Sequence, residues 1–454
     1  MDMNDRSAAG TSLSAGPKVS RRALIGGGAA VAAGIGAATM MAGAAQAQTA
    51  AGAHEASPDV AGMRFRGLVS TDMGSHVEDL TLLSLGPRDC LVRMEATAVS
   101  YTMTGTVLGT SRSPLVIGQG GVGVCEAVGP LVKRVNVGDR VLISATAQCG
   151  WCYQCLHGRP DWCQFSQTSG HPFATTGSGT EVTPRGGIGG TSELTFAPEE
   201  HITPIFTDLP AEQLAMIVNQ VGCGFAAGMN QAPIEPGSDV AVFGAGPVGI
   251  GGIIAAKVMG AARIVVVDPI AARRDNATRL GATHTLDPNA MTAEELVEAI
   301  RDICKGRTDR LFAGGRRWGT NVFGQDGRGA DFVIEGVGAT RFPPVTPTPD
   351  DTGILPLQQA WQVTRAGGHV TYLGAAQGEV SFPAVGFALN GRTIHEGQMG
   401  GQHPMRDLPR FIEMMETGTI DLSGMITTYG LDEAVQAHQD VANRSIILGV
   451  VKFA

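Results

Sequence analysis

The sequence predicts an α/β fold built on a parallel sheet, with a separate cysteine-rich lobe, and three stretches carry that prediction. One is DVAVFGAGPVGIGGIIAAKVMGAARIVVVDP, residues 239–269, which strings together an apolar run, a glycine turn, a small-residue run and a second apolar run. Another is the pair ADFVIEGVG (330–338) and GGHVTYLGAA (367–376), two further apolar runs that each end in glycines. The last is CGWCYQCLHGRPDWC, with four cysteines at 149, 152, 155 and 163.

The first stretch reads as a complete strand–turn–helix–strand unit. Residues 239–243 are the strand, Gly244, Gly246 and Gly249 the turn, 250–259 the helix and 263–267 the second strand, which runs into Asp268. Glycines at this spacing between a strand and a helix, with an acid about 20 residues on, bind a dinucleotide: they let backbone and helix N-terminus approach a pyrophosphate. Pro247 and Val248 lie inside that loop and count with the glycines as cofactor-binding. Asp268 is expected to accept hydrogen bonds from both ribose hydroxyls and to repel a 2′-phosphate, which favours NAD over NADP. Arg273 and Arg274 follow closely and offer a cation to a phosphate.

The runs at 330–338 and 367–376 have the continuous apolar character of strands buried on both faces of a parallel sheet. Between them, residues 339–366 begin proline-rich, as a loop, and end in a helical pattern. Two insertions are expected in this domain, near 307–329 and 340–357, and loops of that length are often functional.

The cysteine spacing, Cys149-x2-Cys152-x2-Cys155-x7-Cys163, suits a single tetrahedral zinc held by four thiolates, and a closed site of that kind is structural. Two disulfides and an iron–sulfur cluster are the alternatives. Two-residue gaps make paired disulfides awkward. The other cysteines, Cys90, Cys125, Cys223 and Cys304, show no pairing pattern.

The chain begins with a leader. KVSRRALIGGGAAVAAGIGAATMMAGAAQAQTA has a basic start, a Gly/Ala-rich run and a small-residue site at residues 45–47, and Ser20-Arg21-Arg22 resembles a twin-arginine signal. Residues 1–47 are thus expected to export the folded protein, with 48–59 a flexible lead-in; retention as an uncleaved membrane anchor is the alternative. So much Gly and Ala makes a poor transmembrane helix, and no membrane span is expected in the mature form. Hydrophobic residues at 43% and charged residues at 17% are ordinary for a soluble globular protein. A net charge of −9 without a long single-sign run, and 5% aromatics, argue against nucleic acid as a partner.

A four-cysteine lobe ahead of a dinucleotide fingerprint resembles the medium-chain dehydrogenase/reductase superfamily, specifically its zinc-type alcohol dehydrogenases. GVGVCEAVGPLVKRVNVGDRVLIS, RGGIGGTSELTFAPEEHITPI, QVGCGFAAG and GTIDLSGMITTYGLDEAVQAHQDVANRSIILGVVKF each resemble a segment of that family. The resemblance implies a GroES-like catalytic domain (60–222, with the zinc lobe at 149–163), a Rossmann domain (223–399) and a C-terminal return to the catalytic domain (400–454). It also implies a small-molecule substrate, an active site between the domains and a homodimer or homotetramer.

This chain departs from the family where the catalytic zinc belongs. The family's first ligand, a Cys, is replaced by Ser100, its His by Gln119, and the acid beside each by Met103 and Gly120; Cys223 alone remains. A hydroxyl and a carboxamide are weak zinc donors, so the catalytic zinc is expected to be absent unless another group, such as His171 or a carboxylate, is recruited. The candidate catalytic residues are then Thr102, which matches the family's proton-passing hydroxyl, and Tyr101, Ser100, Gln119 and Cys223; strand packing is the plainer reading of Tyr101 and Thr102. The implied activity is hydride transfer between NAD and an alcohol, aldehyde, ketone or enone. An exported enzyme would have to carry its NAD with it, which raises a redox-neutral cycle (dismutase, isomerase or lyase) as an alternative. A degenerate ligand-binding member is a further one.

Overall fold

The computed structural model describes residues 57–166, 171–185, 188–305, 327–339 and 350–454. The leader, nearly all of the first expected insertion and most of the second lie outside the described residues.

The first part of the chain is mostly β. In order it comprises β1 (Arg64–Thr71), β2 (Gly74–Leu82), β3 (Asp89–Ala98), α1 (Tyr101–Val107), β4 (Leu115–Val116), β5 (Gly120–Val128), β6 (Arg140–Ser144), β7 (Ala174–Thr176), β8 (Glu181–Pro184), β9 (Leu194–Pro198) and β10 (Ile202–Pro204). Strands β1, β2, β7, β8 and β4 close a small barrel, and β10, β6, β5 and β3 continue a second sheet, with β9 also on β3. The cysteine lobe follows β6 and holds two short helical turns, Tyr153–Leu156 and Pro160–Trp162.

Two short helices, α2 (Ala211–Ile217) and α3 (Gln220–Ala226), lead into the second part. There the elements alternate: β11 (Asp239–Phe243), α4 (Pro247–Val258), β12 (Arg263–Val267), α5 (Ala271–Leu280), β13 (His284–Leu286), α6 (Ala293–Ile303), β14 (Ala330–Glu335), α7 (Ile354–Val363), β15 (Thr364–Tyr372), α8 (Ala384–Leu389) and β16 (Thr393–Glu396). The six strands are parallel in the order β13-β12-β11-β14-β15-β16, a doubly wound sheet whose order reverses between β11 and β14. β11 is buried at every residue: 240–243 are apolar, and the Asp239 carboxylate that opens the strand is paired with Arg263 at 2.8 Å and Arg365 at 3.4 Å. α4 starts at Pro247, a turn earlier than the sequence suggested, because proline is preset for a first helical position and Gly246 precedes it in an extended conformation.

The chain then returns through α9 (Pro404–Glu416), β17 (Ile426–Tyr429), α10 (Ala434–Asn443) and β18 (Leu448–Lys452). β18 pairs antiparallel with β3 and parallel with β17, so the last strand completes the sheet begun by the first part. One core runs through both parts, taking in Ala96 and Val122 from β3 and β5, Phe225, Ile250 and Ile334 from the nucleotide side, and Phe411 and Leu448 from the return. Helices α3 and α4 touch backbone to backbone inside it: a Cβ at Gly224 would lie 1.8 Å from the Val248 carbonyl, and one at Gly251 2.0 Å from that of Val221. Only glycine fits at such a crossing, and the contact ties the helix of Cys223 to the helix of the dinucleotide loop.

Candidate functional site

The four cysteines converge as expected. The sulfurs of Cys149, Cys152, Cys155 and Cys163 all lie within 4.8 Å of one another, with Cys149–Cys155 at 3.8 Å and Cys152–Cys163 at 4.0 Å. Four sulfurs each about 2.3 Å from one ion stand about this far apart at the corners of a tetrahedron. The separations are far longer than a disulfide bond, and too compact for a multi-iron cluster. Backbone N–H groups of Trp151 and Cys152 donate to Cys149 Sγ, and that of Cys155 to Cys152 Sγ, supporting thiolate charge. The residues present therefore fit a structural zinc, and among the described residues they are the one group of three or more His, Cys, Asp or Glu side chains able to hold a metal.

The dinucleotide loop lies at the carboxyl end of β11, where the strand order reverses. Gly244 takes φ +85°, open to glycine and strained for other residues, and α4 directs its N-terminus at the loop. Asp268, 2% exposed, accepts from Ala245 N at 2.7 Å through Oδ2 and from Ile270 N at 2.8 Å through Oδ1. Each oxygen keeps a second acceptor direction for a ribose hydroxyl. The two arginines behind it differ. Arg274 is spent on the Asp268 carbonyl and on Asp287, at 2.7 and 3.0 Å. Arg273 reaches over Gly246, its Nη1 3.6 Å from where a Cβ would stand there, and its buried Nε has no partner. Burial lowers the Arg273 pKa, opposed by Asp268 and helped by Arg444.

The substituted zinc-ligand positions also come together. Ser100 is buried at the N-terminus of α1, its Oγ 2.8 Å from Thr102 Oγ1. Tyr101 to Met103 are therefore helical and not part of a strand, because Ser100 takes the extended conformation that opens a helix and Thr104 Oγ1 donates back to Ser100 O. Thr102 is exposed and Tyr101 half-buried with Arg444 over its ring at 5.9 Å. Gln119 stands between Gly118 (φ +143°) and Gly120 (φ +95°), just before β5. Asn219 Nδ2 donates to Gln119 Oε1, and Gln220 Nε2 donates to Val99 O at 3.0 Å, which brings the segments at 99–102, 119 and 219–223 into one cluster. Cys223 is one turn further along α3, 8% exposed, and burial pushes its thiol up to about 12.

This donor set does not fit a catalytic zinc. Cys223 is the one strong zinc-ligand type of the three, the Ser100 hydroxyl is engaged by Thr102, and the Gln119 oxygen is engaged by Asn219. His171 is not recruited, since its Nε2 lies 2.8 Å from Asp89 Oδ2 and it joins no metal-donor group among the described residues.

Three further residues belong to the site region. Asn219 and Gln220 carry no sequence signal, because their contacts span 100 and 121 residues. Glu335 ends β14 at the reversal point, fully buried, with Oε1 accepting from Val337 N at 2.7 Å, and burial raises its pKa to about 7. Cys90, Cys125 and Cys304 are buried in the core.

Known proteins resemble the chain along both parts. Residues 86–207 match the profile described as an alcohol dehydrogenase GroES-like domain, and residues 247–345 that described as a zinc-binding dehydrogenase. The chain is 30% identical over 349 residues to a geraniol dehydrogenase of Castellaniella defragrans, a match covering 71% of this chain and 79% of that one. It is 27% identical over 403 residues to an NDMA-dependent alcohol dehydrogenase of Amycolatopsis methanolica, covering 86% and 99% of the two chains. Among solved structures, benzyl alcohol dehydrogenase from Acinetobacter calcoaceticus shares the fold with a TM-score of 0.71, at 24% identity over 86% of this chain and 100% of that one.

Proposed function

Since the chain belongs to the zinc-type alcohol dehydrogenase family of the medium-chain dehydrogenase/reductase superfamily, we propose that it is an NAD-dependent oxidoreductase of an alcohol–carbonyl pair that works without a catalytic zinc and keeps one structural zinc. The observation that carries this reading is the donor set, in which Ser100 and Gln119 offer neutral hydrogen-bonding groups where a catalytic zinc would need anionic or imidazole ligands, leaving Cys223 as the one strong ligand type.

In this reading the loop at 244–249 receives the pyrophosphate, Asp268 the adenosine ribose, and Arg273 lies over the loop as a counter-charge. The nicotinamide supplies the hydride acceptor when NAD is bound. The protein's own work is to orient the substrate oxygen with the neutral groups around Gln119 and to move a proton through the Ser100–Thr102 hydroxyl pair. The four-cysteine lobe, far from a reactive role with all four positions filled by sulfur, holds its own fold together.

The leader at 1–47 supports export in folded form, and an exported enzyme has no dependable NAD pool, so we infer that NAD travels bound. The same leader favours a second reading, a redox-neutral cycle in which bound NAD is reduced and reoxidised within one turnover. Native mass spectrometry of the purified mature protein tests these points together and reads the assembly, for which we propose a homodimer or homotetramer. One zinc and one NAD per subunit is the expected result. A second zinc per subunit would overturn the metal-free site, and nucleotide-free protein that turns over with added NAD would overturn bound carriage. Net absorbance change at about 340 nm with an alcohol separates the dehydrogenase from the redox-neutral cycle.

A further inference from the structure

We propose that Gln119 and Gln220 together read a substrate hydroxyl, Gln119 donating to its oxygen and Gln220 accepting from its O–H, and that the site thereby selects an uncharged alcohol. This rests on the dehydrogenase reading above and names its substrate class.

Gln220 is 7% exposed, and its amide is only half satisfied: Nε2 donates to Val99 O at 3.0 Å, while Oε1 is buried without a partner. A buried acceptor left unpaired is unfavourable, and a donor brought by a ligand relieves it. The amide end is anchored at Val99, so this acceptor stands beside Ser100, next to the hydroxyl pair of Ser100 and Thr102. Gln119 shows the complementary condition. Its Oε1 is taken by Asn219 Nδ2, and its Nε2 has no protein partner among the described residues. Exchanging oxygen and nitrogen in both amides of that pair still leaves one N–H donor over. Asn219 and Gln220 are consecutive, so one backbone segment sets both the orientation of the donor and the place of the acceptor.

A hydroxyl both accepts and donates, and it matches this pair. A carbonyl only accepts, so oxidation of the alcohol returns Gln220 Oε1 to its unpaired state and weakens the hold on the product. The groups that bond one another here, Ser100, Thr102, Gln119, Asn219 and Gln220, carry no charge, and the guanidinium of Arg444 is placed over the Tyr101 ring.

The test compares Gln220→Leu, Gln220→Glu and Gln119→Leu with the wild type, using the full mature holoprotein, NAD or NADH, and a panel of uncharged primary and secondary alcohols with their carbonyl partners. NAD content and thermal midpoint report folding. Gln220→Leu is expected to raise KM for the alcohol about tenfold, the weight of one hydrogen bond, and to change KM for the carbonyl less than threefold. Gln220→Glu keeps an acceptor, and in its protonated form a donor to Val99 O. Its alcohol KM is expected to stay within about threefold where the carboxyl is protonated and to rise as it ionises. Gln119→Leu removes the donor that both forms use and is expected to raise both KM values about tenfold. Equal changes in the two directions for Gln220→Leu, or none, overturn the proposal while leaving the dehydrogenase reading intact. If Gln220→Leu does not fold, Gln220→Glu with an alcohol KM still raised more than tenfold at a pH where the carboxyl is protonated overturns it instead. A wild-type holoprotein that converts no alcohol or carbonyl of the panel overturns the underlying reading.

Discussion

Gln119 shows how much a single side chain decides here. Its place between two positive-φ glycines, just before β5, is built by the fold, but an amide there bonds Asn219 where an imidazole would face a metal. Restoring the donors is therefore the sharpest check on the empty site. The double variant Ser100→Cys/Gln119→His, with Cys223 retained, is expected to bind a second zinc per subunit by elemental analysis, and Gln119→His alone is not, because two strong donors hold zinc poorly. A double variant that still binds one zinc would mean that the backbone, and not the ligand types, excludes the metal. Glu335 gives a prediction of a different kind. Burial raises its pKa from 4.5 to about 7, so the folded state holds a proton that the unfolded state has lost between those values. Stability from this group is complete below about pH 4.5 and disappears as pH rises through about 7. His438 works in the opposite sense: burial lowers it to about 4, and its contribution is lost on acidification from about 6.5. The Glu335→Gln variant isolates the first effect, with the Tyr372 phenol beside the carboxyl. Subtracting its urea midpoints from those of the wild type should leave a difference that falls steadily from about pH 4.5 to 7; a flat difference would refute the raised pKa.

At the scale of elements, legibility followed locality. The unit from β11 to β12 could be read from sequence because strand, glycine turn and helix are each specified by neighbours within a few residues. The cysteine lobe was readable for the same reason, all its ligands lying within fifteen residues. Helix α1 was not, since Tyr101-Thr102-Met103-Thr104 favours a strand by composition and becomes helical by packing against α10, where Thr104 Oγ1 meets His438 Nδ1 at 3.1 Å. The metal-ligand substitutions were visible, but the amides that answer them, Asn219 and Gln220, come from the N-terminal end of α3, 100 and 121 residues from their partners, and nothing local marks them. The crossing of α3 and α4 is likewise invisible in sequence and yields a direct comparison. A Cβ at Gly251 would stand 2.0 Å from the Val221 carbonyl, so Gly251→Ala must push the two helices apart and is expected to cost about 3 kcal/mol or more, with weaker NAD retention. Gly105 in α1 has nothing within 4 Å of its own Cβ position, so Gly105→Ala is expected to be neutral or to stabilise by about 0.5–1 kcal/mol. Chemical denaturation of the two variants reads both values, and equal losses would show that the crossing is not the constraint.

For the molecule as a whole, the chain path makes the two parts one folding unit. The nucleotide-binding sheet is inserted in a sheet that opens with β3 and β5 and is completed only by β18, which sits between β3 and β17. Leu448, Val450 and Val451 of β18 are fully buried, and Leu448 and Val450 join the core that spans both parts. Burying three such side chains is worth about 1.5–3 kcal/mol each, a sum near the entire stability of a typical domain, about 5–15 kcal/mol. Loss of β18 also strips ladder partners from two strands at once, leaving buried N–H and C=O groups unpaired on β3. A chain ended at Ser445 is therefore expected to fail as a whole, including the nucleotide-binding sheet whose own strands remain intact. Soluble yield, near-ultraviolet circular dichroism and NAD content of the truncated protein provide the measure. All three should collapse together, and a truncated chain that stays soluble and retains NAD would show that the nucleotide-binding sheet stands without the return strand.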